Sequence, residues 1–498
     1  MRLCELFARV PVLGSLPVPE ADIRRIEYDS RKAEAGCLFV CLVGARSDGH
    51  NYAKAAYGQG CRAFLVSREV ELPPDAVVIR VEDTRQTLAV ISAEFYGRPA
   101  DRLHIIGITG TKGKTTTALM VAAILNGVGK KCAYIGSNGV IIGDRHLETV
   151  NTTPESKELH MYFDQMIRAG MEYAVLEVSS QALAHSRVYG IPFEVGVFTN
   201  LSPDHISDVE HPNFEHYASS KARLFSEYGV RHAIYNADDA MWSAILGDTD
   251  AKRISFGVGK ADLAARDIEN YRDDTTLGVR FDCVTKEGST PVSVLSPGHF
   301  SVHNALAAMA VASVYGVSVG DSAKALKTAP VQGRFEIAGN LPGRTFVIDY
   351  AHNGLSLRSA LSVLREYRPV RLICVFGSVG GKSQNRRAEL AAAAGELSDF
   401  CIITSDNPDL ESPMSIIREL SEHLHPDCPR AEIEDREVAV RTAVRMSRPG
   451  DIVLLAGKGH ETYQLIGGKK VPFRERAILE EECALVLSEE NAKRTGRH

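Results

Sequence analysis

The sequence predicts an α/β protein of three domains, with a doubly wound, mostly parallel sheet at its centre. Three observations lead there. Short apolar runs alternate with helix-period segments along nearly the whole chain. A glycine-rich turn stands directly between one such run and a helix. And 498 residues exceed what a single hydrophobic core organises.

Taken in order, residues 1–99 alternate short strands, Cys37 to Val43, Ala63 to Val66 and Ala76 to Val81, with helical stretches. The polar Gly97-Arg98-Pro99-Ala100-Asp101 then marks a boundary. The second domain, 100–332, carries strands at His104 to Ile108, Cys132 to Ile135, Tyr173 to Val178, Val195 to Thr199 and His232 to Tyr235. Within it, the polar stretch Ile254 to Leu295 reads as an antiparallel insertion and Asn304 to Val314 as a small-residue helix. The third domain, 333–498, is expected to be Rossmann-like, with strands Arg344 to Tyr350, Arg371 to Phe376, Phe400 to Thr404 and Ile452 to Ala456.

Composition narrows the class. A formal net charge of −6 with no basic stripe argues against a nucleic-acid footprint. The ten cysteines are scattered, without a C-x-x-C, and read as reduced thiols in a cytoplasmic protein. No run approaches the ~20 apolar residues that cross a bilayer, and the first residues lack a signal-peptide layout, so membrane insertion and secretion are not expected.

The turn is Thr109 to Thr117, T-G-T-K-G-K-T-T-T. Glycines let backbone N–H groups close around phosphate oxygens. Lys114 supplies a cation for the β/γ-phosphates, and the Thr115 hydroxyl suits Mg²⁺. ATP is the expected nucleotide. The spacing departs from G-x-x-x-x-G-K-[ST], because Ile108 stands five residues before Gly113.

Four strands of the third domain end in polar or glycine-rich residues: Asp349-Tyr350-Ala351-His352-Asn353, Gly377 to Lys382, Ser405-Asp406-Asn407-Pro408-Asp409 and Gly457-Lys458-Gly459-His460-Glu461. Ligands of open α/β sheets bind at the carboxyl ends of strands, so four such turns on one edge predict a site. In the second domain Glu177, at a strand end, suits a metal or a water. Ser179, Ser180 and Arg187 suit an anionic or amide-bearing substrate, and His205 a metal. By spacing alone, Lys221 reads as an exposed helix lysine.

Together these residues resemble the Mur ligase family of peptidoglycan precursor enzymes, in particular its UDP-N-acetylmuramoyl-tripeptide synthetases. The matching features are Asp29-Ser30-Arg31, Asp48-Gly49-His50, the T-G-T-K-G-K-T-T cradle and Asn151-Thr152-Thr153-Pro154. Glu177-Val178-Ser179-Ser180, Thr199-Asn200, Asp204-His205, Lys221, Asn304, Gly333-Arg334-Phe335-Glu336, Asp349 to His352, Asp406 to Pro408 and Gly457 to Glu461 continue the match. Such ligases carry G-x-x-G-x-x-G-K-T, which Gly107, Gly110, Gly113, Lys114 and Thr115 satisfy.

The resemblance implies an ATP- and Mg²⁺-dependent enzyme that joins an amino acid to UDP-N-acetylmuramoyl-L-alanyl-D-glutamate through an acyl phosphate. Its small first domain would hold the uridine nucleotide, with Ser30 in contact. Gly110, Thr111, Lys112, Gly113, Lys114, Thr115 and Thr116 would cradle the nucleotide, with Asn304, Arg334 and Asp349 assisting. Thr115, Glu177, His205 and a carbamylated Lys221 would serve the metals. Asn151, Thr152, Thr153, Ser179, His185 and Arg187 would hold the muramoyl dipeptide, His185 standing where some relatives use Gln. Lys382, Asp406, Asn407, Pro408, Asp409, Gly457 and Glu461 would face the incoming amino acid. A monomer is expected, with closure hinged at Ala329 to Arg334.

Selectivity is the open point. Relatives that add diaminopimelate place an Arg after D-N-P for its distal carboxylate, but this chain has Asp409, with Glu411 nearby. Negative potential there would favour lysine or ornithine; diaminopimelate is the alternative. Folylpolyglutamate or cyanophycin-type ligases are rivals that lack the first-domain motifs. An idle sugar-nucleotide sensor and a motor-type ATPase fit the intact catalytic set less well.

Overall fold

The structure, a computed structural model, describes residues 1–44, 47–203, 206–207, 210–273, 276–327, 335–381 and 384–495. By density of contacts the chain divides into two compact units, Met1–Ala264 with Leu306–Ser318, and Ala265–Ala305 with Val319–His498.

The first unit opens with a four-stranded parallel sheet in chain order: β1 Arg25–Glu27, β2 Cys37–Val40, β3 Ala63–Val66 and β4 Val77–Arg80. β2 ends three residues before the expected Val43, because the chain there turns into a tight loop. Val43 bridges Asp48, and Gly49 N–H donates to Leu42 O at 2.8 Å.

The same unit contains β5 His104–Thr109, β6 Cys132–Gly136, β7 Gly139–Ile142, β8 Arg145–Leu147, β9 Tyr173–Glu177, β10 Phe193–Phe198, β11 His232–Asn236 and β12 Lys252–Gly257. They lie in the order β12-β11-β10-β5-β9-β6-β7-β8. All pairings from β12 to β6 are parallel, while β6-β7 and β7-β8 are antiparallel. Strands covered on both faces read as continuous apolar runs, as Ile105, Ile106 and Ile108 of β5 and Ala174, Val175 and Leu176 of β9 do. Sequence foresaw this sheet but not the β7-β8 hairpin, whose segments are only four and three residues long. β12 continues the parallel sheet, contrary to the antiparallel insertion expected from Ile254.

In the second unit β13 Leu263–Arg272 (its first two residues belonging to the other unit), β14 Leu277–Thr285 and β15 Gly288–Val294 are neighbours, and β14 and β15 pair antiparallel. A six-stranded sheet follows, built from β16 Glu336–Leu341, β17 Arg344–Asp349, β18 Leu372–Phe376, β19 Phe400–Thr404, β20 Arg430–Ile433 and β21 Ile452–Ala456. Its order is β16-β17-β21-β18-β19-β20, parallel except for β16. A separate hairpin joins β22 Tyr463–Ile466 to β23 Lys469–Pro472. Helices cover both faces of the six-stranded sheet, giving one core against Leu357, Leu361 and Leu390 and another against Val440, Val444 and Leu479.

Candidate functional site

The cradle lies where β5 passes into the helix Lys114–Gly127. Gly113 caps that helix at φ +84°, and the first N–H groups of a helix have no intrahelical acceptor. With the helix dipole they form an anion seat. Gly110 must be glycine: its φ is +148°, and a Cβ there would overlap the Thr199 hydroxyl. The turn is pinned from β10. Asn200 accepts Lys112 N–H at 2.9 Å through Oδ1 and Thr111 N–H at 2.8 Å through its carbonyl. Thr199 Oγ1 donates to Lys112 O at 2.7 Å, and the Tyr217 hydroxyl donates to Thr111 Oγ1 at 3.0 Å. Thr116 is buried beneath.

Two ammonium groups meet on one carbonyl. Lys114 Nζ donates to Gly110 O at 2.9 Å and Thr111 O at 3.0 Å. Lys221 Nζ donates to the same Gly110 O at 2.8 Å, its ammonium also lying 4.4 Å from the Tyr217 ring centroid. The exposed lysine expected from spacing is instead 1% exposed, because it shares the inward face of the helix Phe214–Ser226 with Tyr217 and Leu224.

Glu177 closes β9 fully buried. Its carboxylate accepts from Thr115 Oγ1 at 2.9 Å, the Tyr134 hydroxyl at 2.6 Å and Ser137 N–H at 2.9 Å. All three donors are neutral, and no cation pairs with Glu177 among the described residues. The close approach of β6 requires Gly136, since a Cβ there would overlap Glu177 Oε1. Tyr134 and Ser137 escaped the sequence reading: each meets Glu177 across some forty residues, and nothing local marks them.

Beside this carboxylate sit the expected dipeptide contacts. Thr152 Oγ1 lies 3.0 Å from Ser137 Oγ; Thr153 Oγ1 accepts Ser179 N–H at 3.0 Å and donates to Glu177 O at 2.8 Å. Ser179 caps the helix Ser180–Ala184, and Asn151 is exposed. Arg187 donates to Glu155 at 2.8 Å and to Thr153 O at 3.1 Å, and Arg85 reaches the same Glu155 at 3.5 Å. His185, after that helix, is held below the usual histidine range, first by burial and then by Arg85 and Arg187. Ser30 begins a short turn capped by Asp29, which accepts Arg31 N–H at 3.1 Å.

In the second unit the strand ends form a polar cluster of their own. Lys458, fully buried, donates to Asn407 Oδ1 at 2.8 Å and Glu461 Oε2 at 2.7 Å, and lies 3.4 Å from Asp406 Oδ1. Asn407 Nδ2 donates to Glu461 Oε2 at 3.0 Å, and Gly457 leaves β21 at φ +110° beside Asp406. Arg436, unforeseen and fully buried, pairs with Glu475 at 2.7 Å and donates to Ser405 O and Ala456 O, tying the ends of β19 and β21. Asp349 accepts Phe335 N–H at 2.9 Å and Ala351 N–H at 2.8 Å, and Asn304 is buried on the helix His299–Val314.

Asp409 and Glu411, the acids expected to face the incoming amino acid, are both engaged with other groups of the chain. Asp409, at φ +53°, accepts Gly468 N–H at 3.0 Å through its carboxylate. Glu411 pairs with Arg387 at 2.6 Å and accepts Gly381 N–H at 3.0 Å. Pro408, just before them, is buried. His205, Arg334, Lys382 and the hinge expected at Ala329 to Arg334 lie outside the described residues.

Three family profiles match the chain: the Mur ligase family catalytic domain over residues 22–96, the Mur ligase middle domain over 108–312 and the Mur ligase glutamate ligase domain over 333–459. The chain belongs to the Mur ligase family. It is therefore an ATP-dependent ligase forming amide bonds, as other Mur ligases are. A relative from Caldanaerobacter subterraneus subsp. tengcongensis is 39% identical over 490 residues, covering 97% of this chain and 99% of its own. One from Geobacillus kaustophilus is 38% identical over 488 residues, covering 96% and 98%. Both are named UDP-N-acetylmuramoyl-L-alanyl-D-glutamate–2,6-diaminopimelate ligase. A solved structure of a ligase with that name superposes at TM-score 0.70 with 28% identity, covering 98% of this Mur ligase and 99% of that chain. The fold alone extends to the MurF ligase of Thermotoga maritima in complex with ADP, at TM-score 0.59 and 18% identity over 95% and 98%. No described helix of the chain is long and apolar enough to cross a membrane.

Proposed function

We propose that this Mur ligase adds a diamino acid, meso-diaminopimelate in preference to lysine or ornithine, to UDP-N-acetylmuramoyl-L-alanyl-D-glutamate in cytoplasmic peptidoglycan precursor synthesis. One observation carries the chemistry: Lys114, Thr115, Glu177 and Lys221 converge on the cradle, two of them on the single carbonyl of Gly110. The diaminopimelate preference is supported by the names of relatives that match almost the full chain. It is supported too by the engagement of Asp409 and Glu411 with other groups.

In this reading Lys114 and the helix N–H groups hold the β/γ-phosphates of ATP, and the γ-phosphoryl group passes to the D-glutamate side-chain carboxylate. Ser179, Thr152, Asn151 and Arg187 fix the dipeptide so that this carboxylate faces the phosphate. The amine of the incoming amino acid then displaces phosphate through a tetrahedral intermediate, and catalysis is largely positioning and electrostatics.

Thr115 and Glu177 suit Mg²⁺, since both are hard oxygen donors and Glu177 is a buried carboxylate with no cation on it among the described residues. When bound, the ion neutralises charge on the migrating phosphoryl group. Lys221 is read as a carbamate that adds a further anionic ligand. Carbamylation needs a neutral amine, and the Lys221 amine is buried against the Gly110 carbonyl.

The test is product mass from purified protein supplied with UDP-N-acetylmuramoyl-L-alanyl-D-glutamate, ATP, Mg²⁺ and a panel of diamino acids. A diaminopimelate adduct formed at the highest kcat/KM is the expected result. A lysine or ornithine adduct at higher kcat/KM would overturn the selectivity, and no adduct with any amine would overturn the reaction.

A further inference from the structure

The loop after Asp406-Asn407-Pro408 is fastened to a hairpin that carries a cation of its own. Asp409 N–H donates to Leu465 O at 2.8 Å, Gly467 N–H donates to Asp409 O at 2.6 Å, and the Asp409 carboxylate accepts Gly468 N–H at 3.0 Å. The β22-β23 turn and the loop are thus one backbone unit, and Asp409 serves as its clasp. On β23, Lys470 stands opposite Leu465. Alternation along β22 puts Leu465 and Tyr463 on one face, and Lys470 follows them, its ammonium 4.1 Å from the Tyr463 ring centroid. The same ring lies 5.7 Å from Lys458 Nζ, and Lys458 is the residue bonded to Asn407 and Glu461. Lys470 is exposed, whereas Lys458 is fully buried. The Tyr463 ring therefore lies close to both the buried cation of the strand-end cluster and the exposed cation of β23.

We infer that Lys470, held on Tyr463 by a hairpin clasped to Asp409, is the specificity-determining cation that receives the second carboxylate of a dicarboxylic diamino acid. The inference rests on the reading that such an amino acid binds at the ends of β19 and β21. A diamino acid whose far end carries both an ammonium and a carboxylate meets mixed charge there: Glu461, held in place by Asn407 and Lys458, offers an acceptor to the ammonium, and Lys470 offers a donor to the carboxylate. Lysine presents only an ammonium at that end, so it gains nothing from Lys470 and is repelled by it. Selectivity then comes from an attractive and a repulsive element in one residue. The cation reaches the site from the hairpin, and Asp409 orients it through the backbone.

The experiment compares kcat/KM for meso-diaminopimelate and for L-lysine in the unmodified enzyme, Lys470→Met, Lys470→Arg, Lys470→Glu and Lys469→Met. An unmodified enzyme that prefers lysine would sink the underlying reading of the substrate. Given a preference for diaminopimelate, Lys470→Met should cut the diaminopimelate-to-lysine ratio by about tenfold, the effect of one charge-assisted hydrogen bond. Lys470→Glu should cut it further by raising lysine use, and Lys470→Arg should largely restore it. The loss should appear in KM for the amino acid, with KM for ATP unchanged. Lys469 points to the opposite face of β23, so Lys469→Met should leave the ratio intact. A ratio unchanged in Lys470→Met, or changed equally in Lys469→Met, would overturn the assignment to Lys470 while leaving the reaction itself untouched.

Discussion

Single side chains in the first unit carry the sharpest expectations, and Lys114 and Lys221 differ in kind although they share an acceptor. Lys114 opens the helix and reaches back along its own turn, and on the proposed reading its ammonium moves onto phosphate when nucleotide enters. Lys114→Ala should lower kcat by roughly 10²–10³ or more, the range for removing one group aimed at transition-state charge. Near-normal turnover in that variant would mean the cradle is not where ATP reacts. Lys221 comes from a distant helix and is sealed beneath the turn. If it acts as a carbamate, Lys221→Ala should be nearly inactive and partly rescued by a short carboxylic acid that fills the vacated space. Lys221→Arg, which cannot be carbamylated and fills the space with a fixed cation, should resist rescue. Full activity of Lys221→Ala would reduce the lysine to a packing role.

At the scale of an element, the helix Ser156–Arg168 shows how burial of one polar group sets a pH limit. His160 is 1% exposed, its ring meets Phe163 edge-on, and Nδ1 has no hydrogen-bond partner among the described residues. Burial, with a smaller push from Arg98, holds its pKa down to about 4. An unfolded chain takes up this proton near pH 6.5. Between that value and about 4 the unfolded state therefore binds a proton that the folded state refuses, and stability falls as pH falls. The full loss, on the order of 3 kcal/mol, is reached only below the folded value. His160→Leu should flatten this part of the profile. Urea midpoints measured from pH 7 to pH 4.5 should converge toward or cross those of the unmodified protein; parallel profiles would show that His160 does not titrate with unfolding.

For the whole molecule, what was legible in the sequence was what is local. β5, the cradle and the four strand-end turns of the third domain are continuous apolar runs followed by glycine or polar residues, and they stand where expected. What was not legible depends on distant partners: the Tyr134 hydroxyl on Glu177, Arg436 tying β19 to β21, and the hairpin that engages Asp409. The clasp that Asp409 makes with the hairpin was not legible for that reason, since an acid on a loop shows none of its backbone partners in the sequence. The division into two units has a consequence that can be measured. The only tryptophan, Trp242, lies in the first unit, stacked on Tyr235 at 4.6 Å. Its fluorescence therefore reports the unfolding of the unit that contains the cradle, while circular dichroism reports both, and a chain of this size need not unfold in one step. A non-hydrolysable ATP analogue with Mg²⁺ at about 100 times its Kd should add about 2.7 kcal/mol to the unit that binds it. That corresponds to a rise of roughly 5–10 °C in the fluorescence midpoint. Lys114→Ala should lose most of the shift, because the analogue's phosphates lose their cation. A shift seen by circular dichroism without one in tryptophan fluorescence would place the nucleotide's stabilising contacts outside the first unit and would displace the cradle from the centre of the mechanism.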